Sequence, residues 1–460
     1  MSGFVGPDLL VAGAGGGLAG ALRAAERGLS VVVVEASPHF RRGNNTSMST
    51  AMFPGAGSRW QAEAGIDDSP ERFVADIMAK TSRQADARLA RTLAEVSAPL
   101  VEWLADSVGL PLSLVTDFNY PGHAVPRCHS IPGRHGSRVV DHLVREVDQH
   151  PNIDLLTPAK LVAVRTDDTG AVRAGVVRYP DGVEEEIPTG AVLLATNGFG
   201  ANRDLVARHL PEIADAHYQG SDQSLGDALR IGTELGAATG FLDAYQGHGA
   251  VSPVAGTLVG WATIIHGGVL VDRTGRRFGD ETRGYSEYAA ELAARPGATG
   301  WIVLDETIHR QCLPFQDYRD TVSSGALVWA DDVAALAAAL EVPADALAAE
   351  LRRSAEAARG ERDDEFGRTH WERPLRPPFA AVRVVPALFH TQGGLLVDEH
   401  AAVVDLDDRP IPGLYAAGGA AAGISGHGAA GYLPGNGLLP AFGLAYLAAD
   451  HVASKVRTHE

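Results

Sequence analysis

At 460 residues the chain is long enough to bury a large core and to divide into more than one domain. Its net charge of −18 argues against nucleic acid and anionic membrane surfaces as partners, and no run of about 18 apolar residues, the length that crosses a bilayer, is present. Two distant cysteines, Cys128 and Cys312, form no CxxC pair, zinc pattern or iron–sulfur ligand set, so no metal is expected; with no basic, apolar leader in residues 1–7, a reducing cytoplasm is the expected compartment.

Residues 8–37, DLLVAGAGGGLAGALRAAERGLSVVVVEAS, read as an apolar strand, a glycine-rich turn, a helix, a second apolar strand and an acidic end. The turn Gly13-Ala14-Gly15-Gly16-Gly17 places backbone N–H groups and a helix N-terminus where a pyrophosphate binds. Glu35, followed by Ala36, ends the second strand, where a carboxylate takes ribose hydroxyls. Leu18 stands where the third glycine of a GxGxxG pattern is expected, with Gly17 and Gly20 on either side. The unit reads as a dinucleotide site, and NAD and FAD both use such a unit.

Residues 41–58, RRGNNTSMSTAMFPGAGS, form a polar loop holding Asn44, Thr46 and Ser47. Helical patterning over 69–108 opens on a Ser69 cap followed by Pro70. Residues 113–137 read as irregular and gather Tyr120, His123, Arg127, His129, Arg134 and His135, as the wall of an entrance or as a solvated loop; a helix follows at about 137–148. Alternation around TG and DG turns predicts a small β-meander over 153–188. The segment GAVLLATNGFGANRDL predicts a buried strand, the turn Ala195-Thr196-Asn197-Gly198 and a helix start, with another helix at about 225–236. From about 240 to 385 short strands mix with Ala-rich helices, as in a second domain inserted into the first. The expected boundaries are 1–238 and 386–460 for the nucleotide domain and 239–385 for the insertion.

In this order the motifs resemble the fumarate reductase/succinate dehydrogenase flavoprotein superfamily over nearly the whole chain. The branches most similar are tricarballylate dehydrogenase and 3-ketosteroid Δ1-dehydrogenase. The residues that carry the resemblance are RRGNN, ATNGF, GRRFGDE, HWERPLRPPFAA, HTQGG, and GLYAAGG leading into PGNGLLPAFG. The resemblance implies an α/β fold: a Rossmann-like FAD-binding domain with an inserted α+β capping domain for substrate. It implies FAD as hydride partner, and two hydrogens removed from or added to a C–C bond next to a carbonyl or carboxylate. Flavin contacts then fall on the residues named above and on Gly418, Gly419, Gly437, Leu438 and Leu439. The loop 41–50 has no His where succinate dehydrogenases attach FAD, so non-covalent FAD is expected.

The resemblance also assigns the pocket. His390 in HTQGG matches the substrate-carboxylate His of soluble fumarate reductases. His248 falls at another of their substrate-binding His positions, and Arg283 falls near their proton-donating Arg. Their carboxylate-clamping Arg is replaced by Tyr432, where ketosteroid dehydrogenases carry a ketone-polarising Tyr. Tyr285, four residues after Glu281, matches the proton-abstracting Tyr of those dehydrogenases, and Tyr120 matches a third pocket Tyr. The Glu that often follows AAG in the family is Gly419 here. The expected activity is dehydrogenation of a small carbonyl or carboxylate compound, with an external electron acceptor. Two rivals stand beside it: an oxidase or dehydrogenase of a CH–OH or CH–NH substrate, and a flavin-binding protein without catalysis.

Overall fold

The computed structural model describes residues 6–117 and 119–458. The chain divides into two compact units: one runs to His209 and adds Gly220–Tyr245 and the chain from His390 on, and the other is Leu210–Gln219 with Gln246–Phe389.

The first unit is built on a parallel sheet. Strands β1 (Leu9–Ala12), β2 (Val31–Val34) and β4 (Val192–Leu194) are unbroken apolar runs, as strands covered on both faces must be, whereas the edge strand β3 (Ile153–Leu156) carries an exposed Asp154. The sheet order is Ala402–Val404, Pro410–Ala416, β4, β1, β2, β3, parallel except for the antiparallel edge strand Ala402–Val404. Helix α1 (Gly16–Glu26) lies close on this sheet. A Cβ on Gly17 would sit 2.8 Å from Val11 Cγ1, and one on Gly20 would sit 3.0 Å from Leu193 Cδ2. These two glycines provide the close helix–sheet approach, and Leu18 between them is fully buried. A Cβ on Gly16 would meet the Ala441 carbonyl oxygen at 2.3 Å, so α1 and the helix Leu438–Thr458 touch at backbone distance.

The predicted meander over 153–188 is corrected. Ile153–Leu156 is the parallel edge of the main sheet, paired with β2, and the antiparallel sheet comprises Lys160–Thr166, Val172–Arg178 and Glu184–Pro188. The helical stretch 69–108 is two helices, Pro70–Lys80 capped by Ser69 and Ala87–Asp106 capped by Asp86, broken at Ser82 and Arg83, whose φ values are 50° and 63°.

In the second unit, Val269–Asp272, Gly300–Asp305 and the long strand Phe379–Thr391 are neighbours, and Leu327–Ala330, Tyr245–Val251 and His217–Tyr218 also pair with the long strand. Helices Val333–Leu340 and Ala344–Ala358 contribute Leu336 and Leu347 to a core with Val269, Val271 and Val303. Set beside the expected 239–385, this unit starts at Gln246, ends at Phe389 and takes in Leu210–Gln219, because His217 and Tyr218 pair in parallel with Ala387 and Leu388. Among the described residues no helix is long and apolar enough to cross a membrane.

Candidate active site

β1 ends at Ala12 and the chain turns at Gly13, whose φ of 108° only glycine adopts without strain. Ala14 N–H then donates to Glu35 Oε2 and Ser37 N–H to Oε1, both at 2.8 Å. Burial nevertheless raises the Glu35 carboxyl above its ordinary range, against the pull of these donors and of Ala36 N–H. Gly15 caps α1 without a side-chain hydrogen bond, and no acidic residue stands in the first turn. The positive helix end is therefore not neutralised by its own residues. A Cβ on Gly15 would lie 2.8 Å from Thr46 Oγ1 and 3.8 Å from Asn44 Nδ2, so the loop 41–50 closes on the turn. Asn44 is held there: its Nδ2 donates to Ala14 O at 3.0 Å and its Oδ1 accepts from Ser47 N–H at 2.7 Å.

The turn after β4 forms the neighbouring wall. Ala195 N–H donates to Ala12 O at 2.8 Å, and Asn197, at a φ of 65°, donates through Nδ2 to Ser224 Oγ at 2.8 Å. A Cβ on Gly198 would fall 1.9 Å from Thr391 Oγ1. A Cβ on Gly419, next to Gly418, would fall 2.4 Å from Asn197 Oδ1, so the Asn197 amide occupies the direction a Glu at 419 would take. Leu438 and Leu439 open the last helix and are buried. Thr196 Oγ1 and Asn436 Oδ1 are buried without a hydrogen-bond partner among the described residues. A helix end awaiting an anion, a buried carboxylate able to accept ribose hydroxyls and two orphaned polar atoms on adjoining walls fit FAD, with its pyrophosphate at Gly15–Gly16 and a ribose at Glu35.

His390 stands next to last in its long strand. Its Nδ1 lies 2.8 Å from Gln392 Nε2, and desolvation lowers its pKa to about 4, so the ring is neutral at pH 7. The Tyr432 ring lies edge-on to it, centroids 5.7 Å apart at 72°. Burial pushes the Tyr432 hydroxyl above its usual range, although Gly437 N–H donates to it. A Cβ on Gly437 would sit 3.0 Å from His390 Nε2 and 3.5 Å from the Tyr432 oxygen, so any other residue there would cover both polar atoms.

The loop carrying Tyr432 is pinned from behind. His123 Nε2 donates to Pro434 O at 2.9 Å, and Arg127 Nη1 donates to His123 Nδ1 at 3.2 Å. Arg127 is held by Asp68 at 2.9 Å and Asp76 at 2.6 Å. Burial and the Arg127 charge lower the His123 pKa to about 4. Against the reading of 113–137 as an entrance wall or a solvated loop, His123 and His129 are buried, while Arg134 and His135 remain partly exposed. His129 is buried on Ser58 Oγ at 2.8 Å, His135 caps the helix Gly136–Gln149, and Arg134 pairs with Asp117. Tyr120 packs against Met52, Val115 and Cys128 in the same wall, its hydroxyl raised above the ordinary range by burial.

In the second unit, Glu281 is fully buried and accepts from Arg277 at 2.8 Å, Arg368 at 3.2 Å and Leu270 N–H at 3.1 Å, while Arg277 also pairs with Asp364. Burial works to raise its pKa, but the Arg277 and Arg368 charges overcome it and hold the carboxyl below the usual range. Asp280 caps the short turn Glu281–Arg283 through Thr282 N–H at 2.9 Å, and Arg283 is exposed at its end. Tyr285 follows, stacked on His248 with centroids 4.8 Å apart at 19°. Phe389 stacks on His248 at 5.5 Å and Trp261 meets it edge-on at 5.8 Å. His248 Nδ1 accepts from Ala250 N–H at 3.1 Å, and burial lowers its pKa to about 3.

The structure thus brings His390 together with Tyr432, and His248 together with Tyr285. Sequence reasoning missed Gln392, Ser425 and Asn436, which stand behind His390; the only available signal was a polar residue within each glycine-rich run, HTQGG and PGNG.

The model of the FAD binding domain family matches residues 8–438. A probable fumarate reductase of Shewanella frigidimarina is 29% identical over 453 residues, which cover 97% of this chain and 74% of that protein. An NADH:fumarate oxidoreductase of Klebsiella pneumoniae is 30% identical over 428 residues; 91% of this chain aligns, but only 45% of that protein. Among solved structures, the open conformation of a flavocytochrome c3 fumarate reductase superposes with a TM-score of 0.81 at 27% identity, covering 98% of this chain and 79% of that one.

Proposed function

The chain belongs to the FAD binding domain family and is an FAD-dependent oxidoreductase acting on carbon–carbon bonds; on that premise we propose that it exchanges two hydrogens across a CH–CH bond next to a carbonyl or carboxylate. Bound FAD supplies the hydride acceptor or donor. His390, neutral, and Tyr432 hold the substrate oxygen by hydrogen bonds that strengthen as negative charge develops on it. The proton of the neighbouring carbon is exchanged with a Tyr or Arg side chain, Tyr285 or Arg283. His248 contributes to substrate binding. The observation that carries the reading is the convergence of His390 Nε2 and the Tyr432 oxygen over Gly437. The fumarate reductases among its relatives support a small unsaturated acid or carbonyl compound as substrate.

The flavin is held without a covalent bond, an external acceptor reoxidises it when the reaction runs as a dehydrogenation, and the cytoplasm is the compartment, a placement supported by two buried free thiols. Anaerobic titration of the purified, yellow protein tests the reading. A saturated acid or ketone should bleach the flavin, or an enoate or enone should reoxidise it after chemical reduction, and acid should release it into solution. Bleaching by an alcohol or amine alone, or no response to either panel, would overturn the proposal.

A further inference from the structure

Behind His390 runs a hydrogen-bond relay of three buried, uncharged side chains. Asn436 Nδ2 donates to Ser425 Oγ at 3.1 Å, Ser425 Oγ donates to Gln392 Oε1 at 2.8 Å, and Gln392 Nε2 faces His390 Nδ1 at 2.8 Å. Gln392 is 4% exposed, Ser425 1% and Asn436 0%, so no water competes for these bonds. The Gln392 backbone is fixed on both sides: its N–H donates to Ala244 O and its carbonyl accepts from Gly423 N–H, each at 2.7 Å. A Cβ on residue 423 would lie 3.1 Å from Gln392 Oε1, so Gly423 leaves room for the amide.

Such a relay has a direction, because a hydroxyl has one hydrogen and an amide has distinct donor and acceptor ends. Run from Asn436 to His390, it ends on an N–H aimed at Nδ1, which must then carry a lone pair, and the ring proton is left on Nε2. Run in reverse, it would put the proton on Nδ1, where the Thr391 carbonyl, at 3.4 Å, is the weaker alternative acceptor. The amide ends stand in the forward direction: Gln392 Nε2 lies on Nδ1 and Oε1 on Ser425 Oγ, both at 2.8 Å, and Asn436 Nδ2 lies on Ser425 at 3.1 Å.

We propose that Gln392 is a positioning residue that, through the Asn436–Ser425–Gln392 relay, holds His390 as its Nε2–H tautomer and so aims a hydrogen-bond donor at the substrate oxygen. The assignment rests on the role given to His390 above, and its test separates the two. The FAD-loaded protein is labelled with 15N in its histidine rings, and the His390 signals are identified by their loss in His390→Asn. The expected spectrum at neutral pH shows a bare Nδ1 and a protonated Nε2; a protonated Nδ1 overturns the proposal, with no variant required. Gln392→Glu replaces the donor by an acceptor and should move the proton to Nδ1, with kcat lowered about tenfold or more and the flavin spectrum unchanged. Gln392→Met, similar in size but unable to donate, should show both tautomers and an intermediate kcat. If the tautomer inverts in Gln392→Glu while turnover stays at the wild-type rate, the relay stands and the substrate role of His390 falls. If the tautomer does not respond to either substitution, Gln392 does not position the ring.

Discussion

Around His390 the side chains that orient the ring are all neutral, whereas the side chains that hold the Glu281 carboxylate, Arg277 and Arg368, are cations. The two regions solve the burial of polar atoms in opposite ways. Neutral dipoles in sequence carry no net charge, keep the imidazole uncharged and have a direction that one substitution can reverse. The ions about Glu281 have no such direction, but loss of one member strands a charge out of reach of water. The first arrangement suits a group that must present one chosen atom; the second suits a segment that must not move, here the one that leads from Arg277 to Tyr285.

That contrast breaks most visibly in the second unit. Glu281→Ala should cost about 3–5 kcal/mol of stability, read by denaturant or thermal unfolding, because Arg368 is then buried without its carboxylate. A loss below about 1 kcal/mol, the range of an exposed pair, would show that the ions are solvated after all. In the first unit the loss should appear in turnover and not in folding: His390→Ala should retain FAD and lose about 100-fold or more in kcat/KM. Full activity would remove His390 from the site. Tyr432→Phe should lower turnover by about tenfold with the flavin spectrum intact, and an unchanged rate would deny it a polarising or proton-exchanging role.

Acid sharpens the same comparison. His390, His123 and His129 have pKa values lowered to about 4, and His248 to about 3, all by burial first. The unfolded chain protonates its histidines near pH 6.5, so between there and about pH 4 it binds more protons than the folded one. Stability is therefore fully present above about pH 6.5 and falls as pH drops toward about pH 4, by up to about 1.4 kcal/mol per pH unit for each such histidine. His248→Phe keeps an aromatic ring between Tyr285 and Phe389 and should flatten the slope by one histidine's share; an unaltered slope would mean that His248 is already charged in the folded protein.

The nucleotide half of this architecture was readable because its signals are local. LLVA, VVVV and VLL are continuous apolar runs, and the glycines between β1 and α1 have a backbone reason to be there. What escaped depends on distant partners. Nothing near His123 or Arg127 announces that Asp68 and Asp76 draw them into the interior. The segment Leu210–Gln219 joins the second unit through the pairing of His217 and Tyr218 with Ala387 and Leu388, too short a strand to carry a period. Gln392 acquires its meaning only when Ser425 and Asn436 arrive from another segment, and Glu281 only when Arg368 and Asp364 do. Motif matching singled out His390 and Tyr432; it could not show what packs around them.

The backbone-distance contact between Gly16 and Ala441 bears on the order of events during synthesis. The helix that seats against the glycine-rich turn is Leu438–Thr458, and it is made long after α1, once the second unit has been synthesised. Until then α1 has the sheet beneath it but lacks its neighbour on the other flank, and strand Pro410–Ala416 has not yet joined β4. The glycine-rich turn is made well before the helix that completes its surroundings. A polypeptide ended before Leu438 should therefore emerge colourless.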